Sequence, residues 1–175
     1  MRKISVVATV AALLATASTP ALSQGLEQWG TGGGWDILID TTLGDGCFIQ
    51  SEFEDGSLVR MGIDKDQGTG YVTIFNTAWG DIEEGAVYPI EFELDDERYD
   101  GEARGIYLND VPGADILFDN ADFFADLALK YTMTIYNENG RVLAISLQGT
   151  QVGLEGVLQC QEEVDNSRLR RIRCQ

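Results

Sequence analysis

The chain has 175 residues, of which 12 are basic, 29 are acidic and none is histidine, giving a net charge of −17. Without histidine there is no Ser-His or Cys-His nucleophile pair and no imidazole base, and metal sites lose their commonest ligand. The negative charge disfavours nucleic acid and anionic membranes as partners of the main body. We predict no cofactor, and the acidic surface either keeps the protein soluble or attracts a basic partner.

The N-terminus has the pattern of a secretory signal peptide. Arg2 and Lys3 precede an uncharged apolar run over residues 4–17, and residues 21–23 (ALS) have the small-x-small pattern of a cleavage site. The run is too short for a transmembrane anchor. We expect residues 1–23 to be removed. This leaves a periplasmic or secreted protein of 152 residues with ten basic and 29 acidic side chains, a net charge of −19.

Residues 24–34 are rich in glycine and predict a flexible lead-in. After them, period-2 alternation and turn signals predict a succession of strands. Asp55-Gly56 is typical of a hairpin turn, and a second two-residue turn is predicted at Asn139-Gly140. The predicted strands are residues 35–40, 47–53, 58–63, 71–75, 88–94, 102–108, 114–118, 131–136 and 141–147.

Two helices complete the predicted domain. Helical spacing and end signals predict one over residues 120–130 and the other over residues 150–163, while residues 165–175 form a basic C-terminal tail. We therefore predict a single domain over residues 35–164. It is β-rich and of the α+β class, an antiparallel β-sandwich or partly closed barrel of eight or nine strands with two short helices.

Three cysteines follow the predicted signal peptide: Cys47, Cys160 and Cys174. Thiols outside the cytoplasm tend to form disulfides, and three pairings are possible. Cys47 opens a predicted strand and Cys160 shares the inward face of the last helix with Val157, so regular structure holds both. This favours a bond between Cys47 and Cys160 and leaves Cys174 as the odd thiol, available for a covalent dimer.

Acidic clusters are candidates for a cation site or an acid–base pair. Residues 64–68 alternate two carboxylates before a glycine, as a calcium loop does, but Gly68 and Phe75 stand at the fifth and twelfth positions and supply no ligand side chain. Residues 81–84 and 95–97 lie in predicted loops. Solvated loop charge is the simpler explanation for all three segments.

Aromatic and basic side chains are the candidates for recognition. Trp79 lies in a polar loop beside a glycine, where it either contacts a ligand or packs as a lid on the core, and Tyr71 and Tyr107 are candidates for the same groove. Four arginines lie within six positions of the tail: Arg168, Arg170, Arg171 and Arg173. They form either a disordered solubilising tail or a contact for an anionic surface such as lipopolysaccharide.

A set of segments carries a resemblance to known proteins: residues 34–37 (GWDI), 43–48 (LGDGCF), 54–57 (EDGS), Trp79 before an acidic pair, 84–90, 145–149 and 157–161. In these segments the chain resembles small uncharacterised exported proteins of alphaproteobacteria. Those proteins look distantly similar to the invasion-associated locus B family, periplasmic or secreted proteins implicated in host-cell interaction. The resemblance covers residues 34–161, implies a compact β-rich fold with a Cys47–Cys160 disulfide, and implies no catalytic residue.

The sequence favours a non-enzymatic envelope protein that binds a protein partner or an envelope component, and the resemblance suggests host interaction. The second hypothesis is a small-ligand carrier of the periplasm, with its ligand in the concavity of the sheet and Trp79 at the mouth. The third is an enzyme that uses paired carboxylates.

Overall fold

The computed structural model describes residues 25–42, 44–64, 68–80, 82–119 and 121–173. The predicted signal peptide and Cys174 lie outside the described residues. The described residues form ten strands and two helices: β1 (Leu26–Gly32), β2 (Trp35–Asp40), β3 (Gly46–Glu52), β4 (Leu58–Asp64), β5 (Thr69–Phe75), β6 (Val87–Leu94), β7 (Glu97–Leu108), β8 (Val111–Phe118), α1 (Ala121–Ala128), β9 (Thr132–Asn137), β10 (Gly140–Ser146) and α2 (Thr150–Arg173).

The ten strands form one antiparallel sheet in the order β1-β2-β3-β4-β5-β8-β7-β6-β9-β10. Among the described strands β1 and β10 do not pair with each other, so the sheet is not closed. Its two halves share one core in a sandwich-like arrangement. This confirms the predicted β-rich α+β class, with ten strands where eight or nine were expected.

One face of the sheet is buried beneath α2 and the opposite half of the sheet. Helix α2 crosses β1, β2, β3 and β4. Gly156 allows a close approach, since a Cβ atom there would collide with the end of the Ile37 side chain. The packing offsets the cost of about 1 kcal/mol that glycine brings to a helix interior. Side chains at most 1% exposed come from both halves of the sheet: Ile49, Met61, Ile74, Leu94, Met133 and Ile145.

The predicted flexible lead-in contains an ordered strand. Strand β1 pairs with β2 from Leu26 opposite Asp40 to Gly32 opposite Trp35. Trp29 anchors β1 to α2, because its Nε1 donates a hydrogen bond to a carboxylate oxygen of Glu163 at 3.0 Å. The two residues are 134 positions apart, so the local pattern of this glycine-rich segment contains no sign of the contact.

Helix α2 is longer than the predicted helix of residues 150–163, and it continues through the segment predicted as a tail. Contacts with the β2–β3 turn hold this extension. Just before the extension, Gln161 Oε1 accepts a hydrogen bond from the backbone N–H of Cys47 in β3 at 3.0 Å. Arg168 Nε lies 3.3 Å from a carboxylate oxygen of Asp45, and Arg168 Nη1 donates to the carbonyl oxygen of Gly44 at 3.2 Å.

The disulfide between Cys47 and Cys160 is confirmed. It joins the start of β3 to the middle of α2, with Cα atoms 6.2 Å apart and a sequence separation of 113 residues. Both cysteines are at most 1% exposed. A cross-link over a loop of this length stabilises the folded state by about 4–5 kcal/mol in the chain-entropy description.

Two glycine turns meet where the ends of the sheet approach each other. Gly33, between β1 and β2, touches Gly149, between β10 and α2, and both have positive φ, 63° and 80°. A Cβ atom on either glycine would overlap the backbone of the other. Beside them, Trp35 Nε1 donates to the carbonyl oxygen of Gln148 at 3.3 Å. The contact fixes the start of α2 against the β1–β2 hairpin.

We expect Gly33→Ala to destabilise the fold more than its neighbour Gly34→Ala. Both glycines have positive φ, which costs an alanine about 1–2 kcal/mol. Only Gly33 faces another backbone segment, since a Cβ atom on Gly34 meets open space, and the overlap should add about 1–3 kcal/mol. Denaturant unfolding of the two variants measures the difference, and equal losses would contradict the contact between the turns.

Replacing Cys47 and Cys160 together by alanine should lower the free energy of unfolding by about 4–5 kcal/mol, because the unfolded chain regains the freedom of the closed loop. Thermal and denaturant unfolding check the loss. Cys174→Ser is the control, which should leave stability nearly unchanged while abolishing any covalent dimer. In the unmodified protein, non-reducing peptide mapping should link the peptides that contain Cys47 and Cys160. A link from Cys160 to Cys174 would contradict the assignment.

Candidate binding surface

Trp79 ends a 3₁₀ turn (Thr77–Trp79) that follows β5. The turn is held by Asn76, whose side-chain oxygen accepts a hydrogen bond from the Ala78 N–H at 2.8 Å and whose Nδ2 donates to Ser57 Oγ at 2.9 Å. Trp79 is half-buried and packs against the apolar core. This position favours a lid on the core over a free recognition side chain.

Tyr71 and Tyr107 lie on opposite faces of the sheet, so the structure does not bring them into one groove. Tyr71 pairs with Leu117 on the outer face and packs over Gly62, and burial raises the pKa of its phenol. Tyr107 shares the inner face with Pro112, and its hydroxyl donates to the carbonyl oxygen of Ile82 at 2.6 Å. Each tyrosine fixes a local segment of the fold.

A row of polar side chains, which was not predicted from the sequence, crosses the outer face of the sheet. Arg60 lies within 5.2 Å of the Phe48 ring centroid and donates to Gln50 Oε1 at 2.8 Å, while burial lowers its guanidinium pKa. Thr73 Oγ1 donates to Asp115 Oδ1 at 2.6 Å, and burial raises the pKa of that carboxyl. Because these groups bond to one another across neighbouring strands, the row stabilises the sheet. Its members in strand order are Asp36, Gln50, Arg60, Thr73, Asp115 and Arg104.

The acidic cluster of residues 95–97 has structural partners. Asp95 Oδ1 accepts hydrogen bonds from the backbone N–H groups of Tyr131 and Thr132, both at 3.0 Å. Glu97 Oε2 accepts from Lys130 at 2.8 Å and from the Tyr99 hydroxyl at 3.0 Å, and these bonds lower the pKa of Glu97. The cluster therefore ties the β6–β7 turn to the chain segment before β9.

The other two acidic segments are only partly described. Residues 65–67, the centre of the calcium-like segment, and residue 81 lie outside the described residues. Glu83 and Glu84 are exposed. Within the described part of the chain, no group of three or more Cys, Asp and Glu side chains is arranged to hold a metal ion.

The four arginines of the predicted tail lie on the last turns of α2. Arg168 contacts the β2–β3 turn, whereas Arg170 and Arg171 are exposed, and Arg173 is the last residue of the helix. The segment is thus helical where a disordered tail was expected. Its exposed side chains also include Leu169, which is 55% exposed.

An open apolar groove of about 420 Å³ separates α1 from α2. Leu154 and Val157 of α2 form its buried floor, while Leu129 and Leu158 stand on its walls and are each 60% exposed. Glu155 is the charged side chain among its lining residues. The complete lining comprises Ile63, Ala125, Ala128, Leu129, Gln151, Leu154, Glu155, Val157 and Leu158. The groove combines exposed apolar surface with one carboxylate in its lining.

This groove was not predicted from the sequence. Leu158 stands between Glu155 and Glu162 on a polar face of the last helix. An apolar residue on a polar helix face was the available signal. Leu129 is the first residue after α1, which ends at Ala128, and its side chain is exposed.

The fold is that of a protein of known structure. A crystal structure of invasion associated protein B from Bartonella henselae matches 78% of this chain and 98% of its own, with a TM-score of 0.55 and 13% sequence identity. No protein-family model and no curated protein matches the chain in sequence. The likeness confirms, at the level of the fold, the resemblance to the invasion-associated locus B family that the sequence predicts.

Proposed function

We propose that this chain is an exported, non-enzymatic protein of the cell envelope that binds a protein partner. The observation that carries the proposal is the likeness of its fold to invasion associated protein B over almost the whole of that protein. The name of that protein associates it with invasion, and this supports host interaction as the setting in which the present chain binds.

The types of side chain that the sequence contains support a binding function over a catalytic one. The chain lacks histidine, so acid–base chemistry would depend on carboxylates, lysine or tyrosine. Of the candidate carboxylates in residues 81–84 and 95–97, Asp95 accepts hydrogen bonds from backbone N–H groups and Glu97 accepts one from Lys130. They serve the fold rather than a reaction.

Export is supported by the signal-like N-terminus and by the buried disulfide, because disulfides persist in oxidising compartments. Cleavage before Gln24 would leave the described residues intact, since they begin at Gly25. None of the described helices is both long and apolar enough to cross a membrane.

The interhelical groove is the surface that best fits a protein partner. Its walls expose two leucines, and its lining includes Glu155 on a chain that carries 29 acidic side chains. Apolar burial supplies affinity, and the negative field attracts positive charge. We therefore propose that the partner inserts a segment of apolar residues flanked by basic ones.

The small-ligand carrier is the second candidate, and the same groove favours it. Core side chains fill the concave face of the sheet, so a ligand would lie in the open groove between the helices. Trp79 is not among the residues that line this groove. The predicted position of the ligand, in the sheet with Trp79 at the mouth, is therefore replaced by a surface site.

Native mass spectrometry of the protein purified from its source separates the two candidates. The proposed function predicts the mass of residues 24–175 without a small adduct, because the groove would then bind a segment of a protein and not a small molecule. A stoichiometric adduct of low mass would favour the carrier. A mass that includes residues 1–23 would contradict cleavage of the signal peptide.

A photo-crosslinker at Leu129, on the groove wall, should give one reproducible adduct with a second protein in intact cells. The matched control is the same crosslinker at Val142, an exposed apolar residue of β10, which should not give that adduct. Combining Leu158→Glu with the Leu129 crosslinker should remove the adduct, because a charge then stands on the opposite wall. Equal adducts from both positions, or none from Leu129, would contradict binding at the groove.

A further inference from the structure

We infer that the sheet contains a second binding site, a split between β7 and β8 that takes an extended peptide with alternating basic and apolar residues. The peptide adds to β7 as a further strand. This site goes beyond the proposed function, because the crevice in the split and the interhelical groove have no lining residue in common.

The split begins where the ladder between β7 and β8 ends, at the pair of Arg104 and Asp115. Both strands continue past this pair, β7 in pairing with β6 as far as Glu97 and β8 in pairing with β5 as far as Phe118. The two strands therefore diverge, and each presents an edge to the other. A strand rises about 3.3 Å per residue, so the split extends about 13 Å from Arg104 to Asp100, which is room for about three residues of an added strand.

Backbone hydrogen-bonding groups face this split. Successive residues of an antiparallel strand direct their N–H and C=O groups alternately to its two neighbours. Glu102 stands opposite Pro89, which has no N–H, so the groups of Glu102 point away from β6 and into the split, as do those of Asp100. On β8 the carbonyl oxygen of Pro112 accepts a hydrogen bond on the β5 side, so Leu117, an odd number of residues further on, faces β7. Among the described residues no further ladder pair spans the split, so these groups are available to another chain.

An open crevice of about 280 Å³ lies in the split, and its floor is apolar. The buried side chains of Ile116, Phe118 and Phe92 belong to its lining. The Phe92 ring lies against β7 because Gly101 has no side chain, since a Cβ atom there would be 2.9 Å from Phe92 Cε1. Side chains of an added strand that point inward would therefore meet apolar surface.

The rim of the crevice is acidic. Asp100, Glu102 and Asp119 line it and are exposed, and none of the described lining residues is basic. The two arginines of β7 lie outside the lining: Arg98 is paired with two glutamates of β6, and Arg104 stands at the closed end of the split. Asp100 and Glu102 share the outer face of the strand, because alternate residues do. Outward side chains of an added strand would lie beside these carboxylates, which favours basic residues there.

The edges along the split differ from β1 and β10 in their regularity. The registers of β7 with β6 and of β8 with β5 are uninterrupted, whereas both outer edge strands have a register shift. A regular edge with unpaired backbone groups is what an extended peptide needs in order to bind by strand addition. Backbone bonds would then hold the peptide, while the apolar floor and the acidic rim would select its alternating side chains.

The probe is a capped synthetic peptide, Thr-Lys-Val-Lys-Val-Lys-Thr. Calorimetric titration into residues 24–175 carrying Cys174→Ser, which excludes a covalent dimer, should give a Kd on the order of 100 µM at low salt. A second peptide carries methyl groups on two adjacent central backbone nitrogens, so it keeps every charge but loses a donor on each side. It should bind about tenfold more weakly or worse, and equal binding of the two peptides would show attraction by charge alone and overturn the inference.

Asp100→Asn combined with Glu102→Gln should raise the Kd of the probe about tenfold, because two carboxylates beside its lysines are lost. The matched control combines Glu27→Gln with Glu138→Gln. It removes the same charge from two exposed residues that do not line the crevice, and it should leave the Kd nearly unchanged. An equal loss of affinity in the two double variants would contradict binding in the split.

Amide hydrogen exchange, followed by NMR, locates the bound peptide. In the free protein the amides of Asp100, Glu102 and Leu117 should exchange fast, whereas those of Tyr99 and Gly101, which face β6, should be protected. A saturating amount of the probe should slow exchange at Asp100 and Glu102 by about tenfold or more. Unchanged exchange at these two amides with the probe bound would overturn the inference.

Two further results would also overturn the inference. One is the absence of binding at about 1 mM probe. The other is loss of probe binding in Leu158→Glu, which would place the peptide in the interhelical groove. The adduct from the Leu129 crosslinker tests the proposed function independently, because that residue lines the groove and not the crevice.

Discussion

The attachment of α2 to β3 is the constraint on which the rest of the structure depends. The Cys47–Cys160 bond fixes the middle of a 24-residue helix to the sheet. The Gly33–Gly149 contact fixes its start, and Arg168 fixes its C-terminal half to the β2–β3 turn. With these three points set, one side of α2 closes the core over β1 to β4. The other side faces solvent and, together with α1, forms the apolar groove.

The edge strands of the sheet are poorly suited to pairing with a strand of another chain. Strands β1 and β10 each have a register shift, between Gln28 and Gly30 in one and between Arg141 and Leu143 in the other. Such irregularities at an edge strand disrupt the row of N–H and C=O groups that another chain would pair with. The three most exposed leucines, Leu129, Leu158 and Leu169, lie instead on or directly after the helices, so the helical face is the part of this surface best suited to recognition.

The sequence predicted what local patterns and covalent chemistry determine. Alternation identified most strands, and Cys47 and Cys160 were paired because each lies in regular structure. Contacts between distant segments were not predictable: β1 depends on Trp29 meeting Glu163, and the full length of α2 depends on Arg168 meeting Asp45. The last hairpin turn was predicted one residue too late, because Asn137 Oδ1 accepts a bond from the Asn139 N–H and brings Asn137 opposite Gly140. The groove was missed because α1 and α2 are far apart in sequence.

The burial of the disulfide also affects the order of events when an exported chain folds. Cys47 emerges 113 residues before its partner, so most of the sheet can assemble while one thiol remains unpaired. Once α2 has docked, both sulfur atoms are enclosed by the core, and an oxidant can no longer reach them. Oxidation must therefore take place in the interval between the arrival of the last helix and its final packing. During that interval the unpaired Cys47 and the remaining cysteine near the C-terminus compete for the same partner.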